Sequence, residues 1–268
     1  MNSKRNINPP DGGIVLAGLA AQTSRGRVRP NNQDFFHAER SPVEREVSHG
    51  HVLIVADGMG GHAAGEVASR LAVEVFLEKY LRAKVTPDDD PVPVLRAALY
   101  EANRLILLRG EEDDQLRGMG TTCSAVVIRG GRLWIAHVGD SRVYRFRSGR
   151  LEQLTQDHNL AATLLAEGKI DGAEAATHRG RHILTRALGV RTSVEPDITA
   201  SPLEIQPADR ILLCTDGLNR GASDEQLGDL LAEEDVAAVV ERMVDVANQA
   251  GGPDNITAVL AAFGVAGE

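Results

Sequence analysis

The chain has 268 residues, 43% of them hydrophobic and only 3% aromatic, so a sizeable core built from Ala, Val, Leu and Ile is available to one large domain or two small ones. A formal charge of -9 argues against a nucleic-acid partner, which would want a basic face, while a surplus of carboxylates suits divalent cations. No apolar run approaches the roughly 18 residues that span a bilayer, and the two cysteines, Cys123 and Cys214, sit in apolar, strand-like runs, as reduced thiols of a cytoplasmic protein would.

Residues 1–13 are polar and carry Pro9, Pro10, Gly12 and Gly13, so they read as a disordered lead. Lys4 and Arg5 ahead of Ile14 to Ala21 mimic a short signal peptide, but the prolines and glycines intervene and no processing pattern follows. Ile14 to Ala21 is therefore expected to be the first strand. A polar loop, Arg25 to Asp34, leads to a short strand at Phe35 to Ala38, and Ser41 to Gly50 is a charged link. Val52 to Ala56 is a buried strand that ends abruptly at Asp57-Gly58-Met59-Gly60-Gly61-His62. From Ala64 to Leu81 the pattern turns helical: Val67, Leu71 and Val75 form one row, Ala68, Ala72 and Phe76 the next, with Glu66, Arg70, Glu74 and Glu78 opposite. A second helix is expected at Val94 to Leu108.

Thr121 to Ile128, Arg132 to Val138, Arg142 to Phe146 and Arg150 to Leu154 follow, joined by tight turns at Gly130-Gly131 and Ser148-Gly149. This is an antiparallel meander rather than a βαβ alternation. His158 to Glu167 reads as a helix. Gly168 to Arg181 has no clean period and is expected to be a surface flap, at about 168–182. Val194 to Leu203 is a candidate strand, and Arg210 to Thr215 a buried one that stops at Asp216-Gly217. Helices are expected at Ser223 to Leu231, where Ser223 and Gln226 form a capping pair, and at Asp235 to Asn248. Gly251-Gly252-Pro253-Asp254-Asn255 breaks the second before a last strand, Ile256 to Phe263. With no repeat and no long linker, residues 14–265 read as one domain of two antiparallel sheets face to face with helices outside.

Three carboxylates share one grammar: Asp57, Asp140 and Asp216 each stand where an apolar strand ends beside glycine, and Asp254 precedes the last strand. A lone aspartate in such a place is usually a turn former or a cap. Four with matching flanks, brought to one edge by neighbouring strands, could not all ionise without cations between them. Oxygen donors with no His or Cys pairing point to Mg2+ or Mn2+ rather than zinc. Arg29, five residues before Asp34, offers a guanidinium fork suited to a phosphate.

The motifs Arg29-Pro30-Asn31-Asn32-Gln33-Asp34, Asp57-Gly58-Met59-Gly60-Gly61-His62, Gly120-Thr121-Thr122, Gly139-Asp140-Ser141-Arg142, Thr215-Asp216-Gly217-Leu218 and Gly252-Pro253-Asp254-Asn255-Ile256-Thr257 occur in this order. Together they resemble the bacterial branch of the metal-dependent serine/threonine protein phosphatases of type 2C, over roughly Gly18 to Phe263. The resemblance implies a four-layer α-β-β-α sandwich and hydrolysis of phosphoserine and phosphothreonine by a hydroxide bridging two Mn2+ or Mg2+ ions, possible because paired cations lower the pKa of the water between them. It implies that Asp57 bridges the ions, that the Gly58 carbonyl ligates one, that Asp216 and Asp254 hold the other, and that Asp34 acts through bound waters. Asp140 matches an acid that helps hold a looser third ion, and Arg29 would grip the substrate phosphate. The implied partners are phosphoproteins, substrates of a serine/threonine kinase, met by a monomer that needs neither membrane nor nucleic acid.

Three features depart from the family pattern. Ser24 stands near a position where an acid is common. Met59 occupies the place of a histidine proposed as general acid in the animal branch, so the leaving-group acid is unassigned here and a metal-bound water is the expected candidate. Asn219-Arg220-Gly221 after Leu218 is less usual and could alter the rim of the site. Two rival readings are weighed against this one. Cys123 and Arg129 satisfy the cysteine-x5-arginine spacing of tyrosine phosphatases, but Ser124 to Ile128 has no glycine and is β-branched at three places, so it favours an extended strand over a phosphate-cradling loop. A pseudophosphatase, binding phosphoproteins without turnover, would be expected to have lost an acid, and none is lost.

Overall fold

The computed structural model describes residues 13–61 and 64–267. The expected lead lies outside the described residues apart from Gly13, and so does His62. In chain order the elements are β1 (Ile14–Ser24), β2 (Asp34–Ala38), α1 (Val43–Glu46), β3 (His51–Met59), α2 (Ala64–Leu81), α3 (Val92–Glu112), β4 (Gly120–Thr121), β5 (Cys123–Arg129), β6 (Arg132–Val138), β7 (Arg142–Arg147) and β8 (Arg150–Gln153). They continue with α4 (Leu160–Ala166), α5 (Gly172–Thr177), β9 (Asp197–Ile198), β10 (Leu203–Glu204), β11 (Arg210–Cys214), α6 (Asp216–Gly221), α7 (Asp224–Leu231), α8 (Val236–Gln249) and β12 (Ile256–Val265).

The strands form two antiparallel sheets. One runs β1-β12-β11-β7-β8 and the other β10-β6-β5-β3-β2, with β4 also paired to β3 and β9 to β6. Period-two alternation explains how they stack. Along β3, Leu53 and Val55 face the other sheet, while Val52, Ile54 and Ala56 face helices α2 and α3. Along β11, Ile211 and Leu213 face inward, while Leu212 and Cys214 meet Leu227, Val240 and Met243 of the C-terminal helices. Leu53, Val126, Leu213 and Val259, with 0% exposure, lie in the layer between the sheets. The result is the four-layer α-β-β-α sandwich: the inner strands β3, β5, β11 and β12 are buried on both faces, so they read as nearly continuous apolar runs.

Helix α2 keeps the expected span, with Ala68, Ala72 and Phe76 buried. Helix α3 starts earlier than periodicity suggested, because Pro93 in its first turn gives up an N–H that has no partner there in any case. The capping box at Ser223 and Gln226 forms. The single strand expected at 194–203 is instead two short pieces, β9 and β10, with Pro202 between them. The segment read as period-free contains α5, closed at its start by a reciprocal capping box between Asp171 and Glu174. Six residues are too few to show a helical period, although the Asp-x-x-Glu spacing was a usable signal.

Candidate active site

The candidate side chains gather where β3 and β11 end and β2 and β12 begin. Register sets Asp34 of β2 directly across from Asp57 of β3. Asp34 is buried, and its Oδ2 accepts hydrogen bonds from the Thr215 hydroxyl at 2.8 Å, just past the end of β11, and from the Thr257 hydroxyl at 2.7 Å, on β12 of the opposite sheet. This carboxylate therefore ties the two sheets together at the mouth of the sandwich.

The backbone around Asp57 is fixed by the Gly120-Thr121-Thr122 segment. The Asp57 N–H donates to the Thr122 hydroxyl at 2.8 Å, the Thr122 N–H returns to the Asp57 carbonyl at 2.9 Å, and the Thr121 hydroxyl donates to that same carbonyl at 2.9 Å. Gly58 is packed so closely that a Cβ there would stand 2.0 Å from the Gly65 carbonyl oxygen, and its N–H donates to the Gln33 carbonyl. Thr122 also meets the Ser141 hydroxyl at 2.7 Å, which fixes the loop carrying Asp140. Gly139 in that loop has φ +116°, and a Cβ there would press to 2.5 Å against Thr122, so only glycine fits.

Asp216 opens α6 at the end of β11, and Asp254 sits just ahead of β12. Asn255 joins the latter to the Arg29 loop: its side chain accepts from the Gln33 N–H at 2.8 Å and donates to the carbonyls of Arg25 and Asn31. Arg29, half exposed, forks onto Asp254, Nε to Oδ1 at 2.8 Å and Nη2 to Oδ2 at 2.9 Å. Arg220 links Asp254 Oδ2 at 2.5 Å to Asp216 Oδ2. A cleft of about 800 Å³ is walled by Arg29, Asp57, Gly58, Asp140, Asp216 and Asp254, with residues from the 182–195 segment on its far side. Asp34 stands behind Asp57, outside that wall.

Crowding of acids dominates the electrostatics. Asp57 is held well above the ordinary carboxylate range by burial first, and then by the charges of Asp34, Asp216, Asp140 and Asp254. Burial raises Asp140 to about 8, with Asp216 and Asp157 adding to it and Arg220 opposing. Asp34 rises to about 7 through burial, although the Thr257 and Thr215 hydroxyls pull it down. Asp216 is raised by burial against the opposing charge of Arg220.

The donor set fits hard divalent cations: it is all oxygen, and Oδ1 of Asp34 and Oδ1 of Asp216 are buried with no hydrogen-bond partner. As the side chains stand, no group of three or more His, Cys, Asp or Glu among the described residues is placed so that it could hold an ion. The positive charge facing Asp216 and Asp254 is instead that of Arg220 and Arg29.

All the site residues expected from sequence meet here, with Asp34 in the supporting position. Sequence reasoning missed Thr215, Thr257, Thr122 and Asn255 as the groups that hold the acids. All four lay inside the quoted motifs, but pairings that reach from Asp34 to Thr257 leave no local period to read. The rival cysteine site is absent. Cys123 is buried in β5 with its thiol pushed up to about 12 by burial, and Arg129 donates to the carbonyls of Ser48, Thr86 and Asp89.

Comparison with known proteins agrees with this geometry. A model of the protein phosphatase 2C family matches residues 21–261. The chain is 40% identical over 251 residues to serine/threonine protein phosphatase PstP of Mycobacterium tuberculosis, covering 92% of this chain and 45% of that protein. It thus spans about half the length of that relative. It is 37% identical to serine/threonine phosphatase stp of Listeria welshimeri, covering 89% of this chain and 93% of that one. Among solved structures, the catalytic domain of PstP in complex with two manganese ions superposes with a TM-score of 0.79 at 38% identity, covering 94% of this chain and 99% of that one.

Proposed function

The chain belongs to the protein phosphatase 2C family, and from that premise we propose that it is a serine/threonine protein phosphatase dependent on two Mn2+ or Mg2+ ions. The observation that carries this reading is the delivery of Asp34, Asp57, Asp140, Asp216 and Asp254 from both sheets to one place, with Arg29 at its edge. Five crowded acids, most raised above their ordinary range, are costly unless cations neutralise them.

In this reading Asp57 and the Gly58 carbonyl would hold one ion, Asp57 with Asp216 and Asp254 the other. Asp140 would help hold a third, looser one. Asp34, held by Thr215 and Thr257, would act through water behind Asp57. When bound, the ions supply a hydroxide at neutral pH and neutralise charge on the phosphoryl group. The chain's own contribution is positional. The threonines and Asn255 fix the acids at rigid strand ends, and Arg29, whose fork rests on Asp254 here, would turn to phosphate oxygens once an ion takes that acid. The 168–182 segment, with α5 on it, would act as the flap beside the site within a single domain over 14–265.

Phosphoproteins are the proposed substrates, produced by a serine/threonine kinase and met by a monomer in the cytoplasm. No helix among the described residues is long and apolar enough to cross a membrane. The deciding assay is release of phosphate from a phosphothreonine peptide by purified protein with Mn2+. Turnover well above the metal-only blank is expected, and turnover equal to the blank would leave a phosphoprotein-binding module instead.

A further inference from the structure

Arg220 sits at i+4 from Asp216 on α6, so helix geometry places its side chain over that acid. Its guanidinium also reaches Asp254 Oδ2 at 2.5 Å, so one cation spans two carboxylates that come from separate parts of the chain. This is unlike the other i,i+4 arginine pairs among the described residues. Arg70 and Arg82 are 50% and 79% exposed in their pairs with Glu66 and Glu78, whereas Arg220 is 23% exposed and its Nε is buried without a partner. Burying part of a guanidinium unsatisfied is costly, and the two acids offset that cost.

Asp216 and Asp254 are the pair assigned above to one of the two ions, and the inference rests on that reading. A divalent cation and a guanidinium cannot hold the same carboxylate oxygens, because like charges at contact repel strongly. We propose that Arg220 is a tethered counter-cation that competes with the divalent ion for the Asp216–Asp254 pair and swings away when that ion binds. There is room for the swing. Arg220 borders both the 800 Å³ cleft and a neighbouring one of about 620 Å³, and Asp140, Asp216 and His182 line both. The two ions are then unequal: the one at Asp57 and Gly58 meets no tethered rival, while the one at Asp216 and Asp254 must displace Arg220 from both acids and the Arg29 fork from Asp254.

The test is calorimetric titration of the purified chain with Mn2+, together with thermal melts in chelator and in Mn2+, for wild type, Arg220→Gln and Arg220→Lys. Arg220→Gln keeps the length and removes the charge. It is expected to bind one ion about tenfold more tightly, to melt lower in chelator, and to gain more than wild type on adding Mn2+. Arg220→Lys keeps a charge but cannot fork across both acids, so a smaller gain of about threefold is expected, and it decides the matter if the glutamine variant does not fold. Isotherms matching wild type, or weaker binding in the variants, would overturn the competition. Absence of Mn2+ binding in wild type and variants alike would remove the two-ion reading itself, and the competition with it.

Discussion

The hydroxyl of Thr257 on one sheet donates to Oδ2 of Asp34 on the other at 2.7 Å, and this bond lies in the buried interior. Thr257→Val keeps the shape and removes the donor. The charge-assisted bond is worth about 1–2 kcal/mol, so a lower melting temperature is expected, with a further upward shift of the Asp34 pKa. Melts indistinguishable from wild type would mean that this tie carries no load.

Asp57→Asn should nearly abolish turnover, by about 100-fold or more, because a neutral amide cannot bridge two cations. The fold should survive, since the backbone of residue 57 is held by Thr121 and Thr122 rather than by its own side chain. Wild-type kcat in this variant, with an unchanged circular dichroism spectrum, would contradict the bridging role.

Arg29→Ala should raise KM more than Asp34→Ala does. Arg29 lies at the exposed edge of the cleft, where it can meet phosphate, whereas Asp34 is walled in behind Asp57. Steady-state kinetics on a phosphopeptide separate the two. An unchanged KM in the Arg29 variant would count against phosphate binding.

Chelation should remove activity and Mn2+ should restore it, while thiol alkylation of the folded protein should do neither. Cys123 and Cys214 are both buried, and burial pushes each thiol up to about 12, so neither offers a reactive thiolate. Loss of activity with iodoacetamide on the folded protein would reopen cysteine chemistry.

In protein stripped of metal, Asp34 should titrate near 7 and Asp140 near 8, against an ordinary value of 3.8. Between these limits the folded chain holds protons that the unfolded chain has released. Their stabilising contribution is thus complete below about pH 4 and falls away as pH rises through 7 to 8. His137 works in the other direction. Burial first, and then His158, lower it to about 4 from 6.5, so stability is lost as pH falls through that window. Melts in chelator should therefore decline on both sides, and Asp34→Asn should flatten the alkaline decline. Mn2+ affinity should rise with pH up to about 8, because binding releases protons. An alkaline limb unchanged in Asp34→Asn would show that this acid is ionised throughout.

Much of the fold was legible because each sheet has two buried faces. Val52 to Ala56 and Arg210 to Thr215 had to be strands of some interior, and Asp57 and Asp216 marked where they stopped. Helix α2 was legible from its rows of small apolar residues. Helix α5 was not, since its six residues carry only a capping box, and β9 and β10 are too short to leave a period. At the site the acids were readable from their flanks. The groups that steady them were not, because Thr257 reaches Asp34 across 223 residues of sequence. Arg220 stood out only as a departure, and its double contact required three dimensions.

Strand β12 lies inside its sheet, between β1 and β11, and not at an edge. Until residues 256–265 dock there, β1 and β11 have no common neighbour and Thr257 cannot reach Asp34. The site is therefore complete only when β12 is in place, and a chain lacking residues 256–265 should be inert toward phosphoproteins rather than weakly active.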